Sequence, residues 1–310
     1  MRLIAAFLKM IRLPNLFFIA LTQALFQYCI YQRLYPSPVS RIDTAHFIFL
    51  VLASVLIAAA GYIINDYFDI NIDEVNKPQR MVVDKYIHRR WAIAWHFVFN
   101  SVGLALTILA LPFVQKWYLI LANMLCMLLL WFYSTSLKRR LLIGNVVISL
   151  LTAWTILLIF FSKVTLADAI GEGKVVHDKL FRLTFLYAGF AFISSLIREA
   201  IKDIEDMPGD MKYGCRTMPI VWGVNATKIY VAVWLIVLLA LLVTVQVYVL
   251  QFQWWLPVAY SIGLIILPLL YIFLNLFKAK SPGAFHALSY WTKFIMLTGI
   301  LSMVFFYFYL

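Results

Sequence analysis

Phe47-Ile48-Phe49-Leu50-Val51-Leu52-Ala53-Ser54-Val55-Leu56-Ile57-Ala58-Ala59-Ala60-Gly61-Tyr62-Ile63-Ile64-Asn65-Asp66-Tyr67-Phe68-Asp69-Ile70-Asn71-Ile72-Asp73 passes from an uncharged apolar run directly into a row of carboxylates. About 20 apolar residues in a helix cross the hydrocarbon of a bilayer. Residues 45–64 are therefore predicted to span a membrane, with Asn65 and the aspartates emerging at its face. The same apolar pattern recurs near 13–32, 91–112, 117–135, 143–162, 180–198, 229–250, 254–276 and 289–310. A chain with 64% hydrophobic and 13% charged residues and a mean hydropathy of +0.90 exposes too much apolar surface for a water-soluble core. It reads as an all-α, polytopic membrane protein with nine transmembrane helices.

Arg2, Lys9 and Arg12 precede a full-length span with no small-residue cleavage site, so the first span is expected to be retained. With the N-terminus inside, eighteen Lys and Arg residues fall on the inner side and seven on the outer, while Lys293 lies within the last span. The positive-inside rule then predicts the cytoplasmic membrane as location, the N-terminus in, the C-terminus out, and both acidic segments on the cytoplasmic face. The net charge of +12 is spread over membrane loops, which suits anionic lipid headgroups and gives no nucleic-acid-binding module. Cys29, Cys126 and Cys215 have no metal-ligand spacing, and neither do the five histidines. Asn225-Ala226-Thr227 matches a glycosylation acceptor but falls on the predicted cytoplasmic side.

Residues 1–310 are expected to form a single membrane domain. Spans two and six are each followed by an acidic motif and a basic tail. This coarse repeat suggests two related four-helix halves, about 10–165 and 178–280, with a ninth helix added.

Ten of the fourteen carboxylates lie in two stretches, Asn65 to Asp84 and Glu199 to Asp210. On a helix continuing from span two, Asn65, Asp69 and Asp73 share one face, with Asp66 about 100° around as a supporting ligand. Asp206 and Asp210 repeat the i, i+4 spacing, with Asp203 one turn earlier, and Arg198 and Lys202 form a cationic stripe beside them. Carboxylates in such rows bind Mg²⁺, Mg²⁺ attracts phosphate oxygens, and Lys or Arg contacts the remaining oxygens. A diphosphate ester fits this set. One that also carries a long apolar tail is a polyprenyl diphosphate, whose allylic carbon becomes a cation as the diphosphate leaves. Tyr62, Tyr67 and Phe68 are placed to shelter such a cation, although rings in a chain this aromatic are more often packing residues. Arg12-Leu13-Pro14-Asn15 starts the first span, where proline is ordinary and the Asn15 amide is expected to face protein.

Asn65-Asp66-x-x-Asp69-x-x-x-Asp73 after the second span, and Asp206-x-x-x-Asp210 after the sixth, resemble the paired motifs of the UbiA superfamily of intramembrane prenyltransferases. The resemblance covers the whole chain and implies nine helices around a central cavity. It implies metal binding by Asn65, Asp66, Asp69, Asp73, Asp203, Asp206 and Asp210, with Asp69 and Asp206 central to catalysis. Tyr133-Ser134-Thr135-Ser136-Leu137-Lys138, followed by Gly144-Asn145, is similar to the family's loop between helices four and five, which associates Lys138 and Tyr133 with the diphosphate and the reacting carbon. The family's commoner spacing is YxxxK, one residue shorter than Tyr133 to Lys138.

The tail Asn76-Lys77-Pro78-x-Arg80, and the run from Arg198 through Gly214-Cys215-Arg216-Thr217-Met218-Pro219, are similar to the superfamily branch that alkylates a glycerophosphate ether hydroxyl. This adds Lys77 and Arg80 to Asn65, Lys138, Arg198 and Lys202 as diphosphate contacts. It implies Mg²⁺-dependent transfer of a polyprenyl group, geranylgeranyl above all, with release of pyrophosphate. Where that branch follows Arg80 with a Pro-Ile-Pro-Ser-Gly-like stretch, this chain has Met81-Val82-Val83-Asp84-Lys85, which leaves the acceptor open between the lipid and an aromatic ring of quinone biosynthesis. A transporter of isoprenoid or anionic lipid is the rival outside the enzymes, but transporters place their sites near the bilayer midplane.

Overall fold

The computed structural model describes residues 2–36, 41–79, 81–164 and 174–310. Among the described residues, nine helices are long and apolar enough to cross a membrane: Leu13–Leu34, Arg41–Phe68, Arg89–Ala110, Gln115–Thr135, Ile143–Lys163, Asp178–Lys212, Val224–Leu250, Trp255–Leu276 and Pro282–Tyr309. They are called spans one to nine. A bilayer leaves no water for backbone groups, so helices that satisfy themselves are what such a sequence can form there. The chain is an integral membrane protein.

Two of these helices are longer than the sequence pattern suggests, and both carry the acidic segments. Span two has 28 residues, and the helix containing span six runs from Lys174 to Lys212, 39 residues. At 1.5 Å per residue the latter is about 58 Å long, roughly twice the hydrocarbon thickness. The stretch from Glu199, past the end of the expected span near 180–198, is thus a helical extension that carries its carboxylates on from the apolar segment. The expected continuous helix after span two is corrected in the opposite sense. Span two ends at Phe68, Asp69 adopts φ −94° and ψ 0°, and a separate short helix covers Ile70–Asn76. The break is mild, since Asp69 N–H still donates to Asn65 O and Asp73 N–H to Asp69 O.

Span two packs on span three, and span six packs on spans five and nine. An amphipathic helix, Arg2–Met10, lies before span one and joins a cluster with Ile63, Ile70 and Val83 near the acidic end. Two lysines close helix C-termini at 2.7 Å, Lys116 donating to Val164 O after span five and Lys228 to Ala279 O after span eight. Cationic donors suit these orphan carbonyls. Cys29, Cys126 and Cys215 are free thiols.

Candidate active site

Spans two and six run in the same direction, so their carboxylate-bearing ends come to the same end of the bundle. Asn76, at the end of the short helix, fixes their register. Its Nδ2 donates to Asp206 O at 2.8 Å, and Gly209 N–H donates to its Oδ1 at 2.8 Å. A Cβ on Gly209 would lie 2.6 Å from the Asn76 amide, so this joint requires glycine. Beside it, Lys77 forms an ion pair with Asp206 at 2.5 Å and reaches Glu205 at 3.9 Å. Glu205 also pairs with His286 at 2.9 Å.

Lys138 comes from the turn between spans four and five. Its ammonium lies 2.5 Å from Asp69 and donates to Asn65 Oδ1 at 3.1 Å, while Asn65 Nδ2 donates to Asp69 Oδ2 at 2.8 Å. The turn is tight. Leu142 has φ 61°, and a Cβ on Gly144 would meet the Lys138 backbone at 2.8 Å. Arg216 N–H, following span six, donates to Arg139 O at 2.8 Å and ties this turn to the second acidic segment. Burial lowers the Lys138 ammonium, and Asp69 pulls it back up.

Asp66 points the other way, to Arg12, at 2.7 Å, and Arg12 also lies over the Tyr62 ring, 5.0 Å from its centre. Burial, with Asp69 and Asp66 nearby, raises the Asp73 carboxyl to about 6. Asp203 accepts from Asn145 at 2.8 Å. Asp210 is within electrostatic reach of Asp206, Asp69, Lys138 and Lys77. The expected stripe of Arg198 and Lys202 turns to Glu199 instead, at 2.8 and 3.5 Å, because these helix neighbours sit within one turn of it. Tyr133, partly buried, lies within electrostatic reach of Glu199, Asp203 and Asp69. Arg80 lies outside the described residues.

The donor chemistry fits a hard divalent cation. Six aspartates, all oxygen donors, outnumber the cations paired with them, Arg12, Lys77 and Lys138. The Asp73 carboxyl is raised first by its burial and then by the neighbouring negative charges of Asp69 and Asp66. Among the described residues no group of three such side chains is close enough to hold an ion as it stands; Lys138 and Lys77 take up Asp69 and Asp206 instead.

Away from this polar end the interior is apolar. A cavity of about 40 Å³ is lined by Thr22, Thr152, Ile156, Ser194 and Met296, and a second of about 100 Å³ lies between spans six to nine. Tyr187 and Phe190 line both.

The sequence pattern of the UbiA prenyltransferase family matches residues 20–294. The chain belongs to this family. It is a membrane prenyltransferase, as expected, and the rival reading of a transporter is set aside. The digeranylgeranylglyceryl phosphate synthase of Sulfurisphaera tokodaii is 30% identical over 255 residues, 81% of this chain and 84% of that protein. Among solved structures, one of digeranylgeranylglyceryl phosphate synthase matches over all of both chains with a TM-score of 0.66 at 21% identity. A UbiA homologue from Archaeoglobus fulgidus, bound to DMAPP and Mg²⁺, matches over 96% of this chain and 98% of its own, with a TM-score of 0.58 and 16% identity. These structural likenesses bear on the fold.

Within this UbiA family member, several site residues escape motif reading. Asn76 and Asn145 stand beside the motif residues, but their roles come from partners 130 and 58 positions away. Arg12 reads as a flanking cation of span one until Asp66 is seen against it. Glu199 is the least visible, being a carboxylate at the membrane end of the cluster whose two cations are its own helix neighbours.

Proposed function

We propose that this prenyltransferase moves a geranylgeranyl group from its diphosphate to a hydroxyl of a glycerophosphate ether lipid, at the cytoplasmic face of the cytoplasmic membrane, with Mg²⁺ as cofactor. The observation that carries the reading is the joint made by Asn76 and Lys77 with Asp206, which brings two acidic segments and Lys138 together above an apolar interior. The names of the relatives supply the acceptor class.

Asp66, Asp69, Asp73, Asp203, Asp206 and Asp210, with the Asn65 carbonyl oxygen, would hold the metal. Bound Mg²⁺ supplies positive charge that favours departure of the diphosphate. Lys138 and Lys77 are placed to leave their aspartates for the diphosphate oxygens when donor and metal arrive, and Lys138 orients the bridging oxygen. The allylic C–O bond breaks with its electron pair going to the diphosphate. A lone pair of the acceptor hydroxyl forms the ether bond, and the hydroxyl proton leaves with pyrophosphate. Tyr62, beside Arg12 and its partner Asp66, would shelter the positive charge that develops, and the apolar interior would keep water from the cation and take the donor's tail.

Purified protein given labelled geranylgeranyl diphosphate, geranylgeranylglyceryl phosphate and Mg²⁺ should form an ether product that Asp69→Ala abolishes. Alkylation of an aromatic quinone precursor in preference to the lipid would move the protein to the ring-acceptor branch.

A further inference from the structure

Lys293 is a cation in the middle of span nine, away from the carboxylate segments. Its ammonium donates to Asn15 Oδ1 at 2.7 Å and lies 5.2 Å from the centre of the Phe18 ring. Neither partner is charged, and the ionised groups that act on it most are Arg198 and Arg12, both positive. An intramembrane lysine that faces other cations is costly unless an anion joins it, and such residues mark functional sites. Asn15 N–H donates to Arg12 O at 2.8 Å, and Arg12 lies over the Tyr62 ring and pairs with Asp66, so Asn15 links Lys293 to the wall of the active site.

The depth of this cluster is informative. Tyr62 is four residues before Asp66, and Glu199 four before Asp203, so the layer of Tyr62, Arg198, Glu199, Asn15 and Lys293 lies one helical turn, about 6 Å, further into the membrane than the aspartates. Arg198 is paired with Glu199 and Arg12 with Asp66, which leaves Lys293 as the surplus charge of the layer. Met296, one turn beyond Lys293, lines the smaller apolar cavity. A ligand with its anionic head at Lys293 would therefore have the start of its tail directed toward that cavity.

We propose that Lys293, held by Asn15 and backed by Arg198, binds the phosphate monoester of the acceptor lipid, separately from the carboxylate site that takes the donor diphosphate. This rests on the glycerophosphate acceptor proposed above. The glycerol hydroxyl is only a few bonds from its phosphate, so with that hydroxyl at the donor's reacting carbon the phosphate must sit within about one helical turn of it, which the one-turn offset between the two layers allows. Two anions in one site would repel each other; the second layer provides a place for each.

The test uses full-length protein in detergent with two ligands of equal tail, a 1-O-alkyl glycerol phosphate and the corresponding alkyl glycerol, bound without donor. Wild type should prefer the phosphorylated ligand, and Lys293→Gln should lower that preference about tenfold or more while Lys293→Arg retains it, as for loss of one charge-assisted hydrogen bond. In turnover, Lys293→Gln should raise KM for the acceptor and leave KM for the donor unchanged. Equal binding of the two ligands by wild type, or a rise in donor KM matching that of the acceptor, overturns the proposal. If wild type binds the phosphate through Lys293 but makes no ether product, the anion site stands and the assigned reaction fails. Lys293→Gln that loses its fold would show in Lys293→Arg restoring the melting profile and the phosphate preference together; restoration of the melting profile without the preference counts against the site.

Discussion

Lys138 is held between a carboxylate that charges it and a buried setting that opposes the charge. In the proposed reaction it exchanges Asp69 for phosphate oxygens, an interaction strengthened as charge moves onto the leaving group. Lys138→Met should reduce kcat by about a hundredfold or more, the scale of losing one preorganised electrostatic contact, with a smaller change in KM for the donor. Steady-state kinetics with varied prenyl diphosphate measure this. Asp73 makes a second prediction, on pH. Its carboxyl lies at about 6 against an ordinary 3.8, so between those values the folded, metal-free protein holds a proton that the unfolded chain has released. The stability this group contributes is present below about pH 4 and is lost as pH rises through 6. Mg²⁺ needs the carboxylate, so its binding runs the other way and weakens below pH 6. Melting curves from pH 5 to 7 should show Mg²⁺ stabilisation shrinking on acidification, and Asp73→Asn should flatten both trends.

At the scale of elements, the register of the short helix Ile70–Asn76 against span six depends on Asn76 and Gly209. Asn76→Ala leaves the Gly209 N–H without its partner and removes two hydrogen bonds, at about 1–3 kcal/mol. It should lower the melting temperature by a few degrees and cut kcat by about tenfold, since the two acidic segments lose their alignment. Gly209→Ala forces a Cβ into the same amide and should give a similar loss. The double variant should fall well short of additivity, because both changes break one joint. The turn between spans four and five offers a parallel case. Gly144→Ala would push on the Lys138 backbone, so its kcat should fall toward that of Lys138→Met while Mg²⁺ binding persists.

For the whole molecule, the charge asymmetry of the loops predicts that both acidic ends face the cytoplasm. In a cysteine-free background, Met211→Cys near the acidic end and Trp255→Cys at the opposite end of the bundle, both exposed, should react with an impermeant thiol reagent from opposite sides of sealed vesicles. Labelling of both from one side would overturn the topology. Much of this architecture is written locally. The run from Phe47 to Ile64 is too long and too apolar for anything but a membrane helix, and Asn65 to Asp73 and Asp206 to Asp210 declare acidic sites by spacing alone.

The nine spans, the acidic segments and the membrane setting can be read along the chain, because hydropathy and carboxylate spacing are properties of neighbours within a turn or two. Packing settles instead that Asp69 ends one helix and starts another, that Lys77 meets Asp206, that Arg12 meets Asp66, and that Lys293 meets Asn15. Those pairings join positions 54 to 278 residues apart, and they depend on how whole helices pack, which no local pattern encodes.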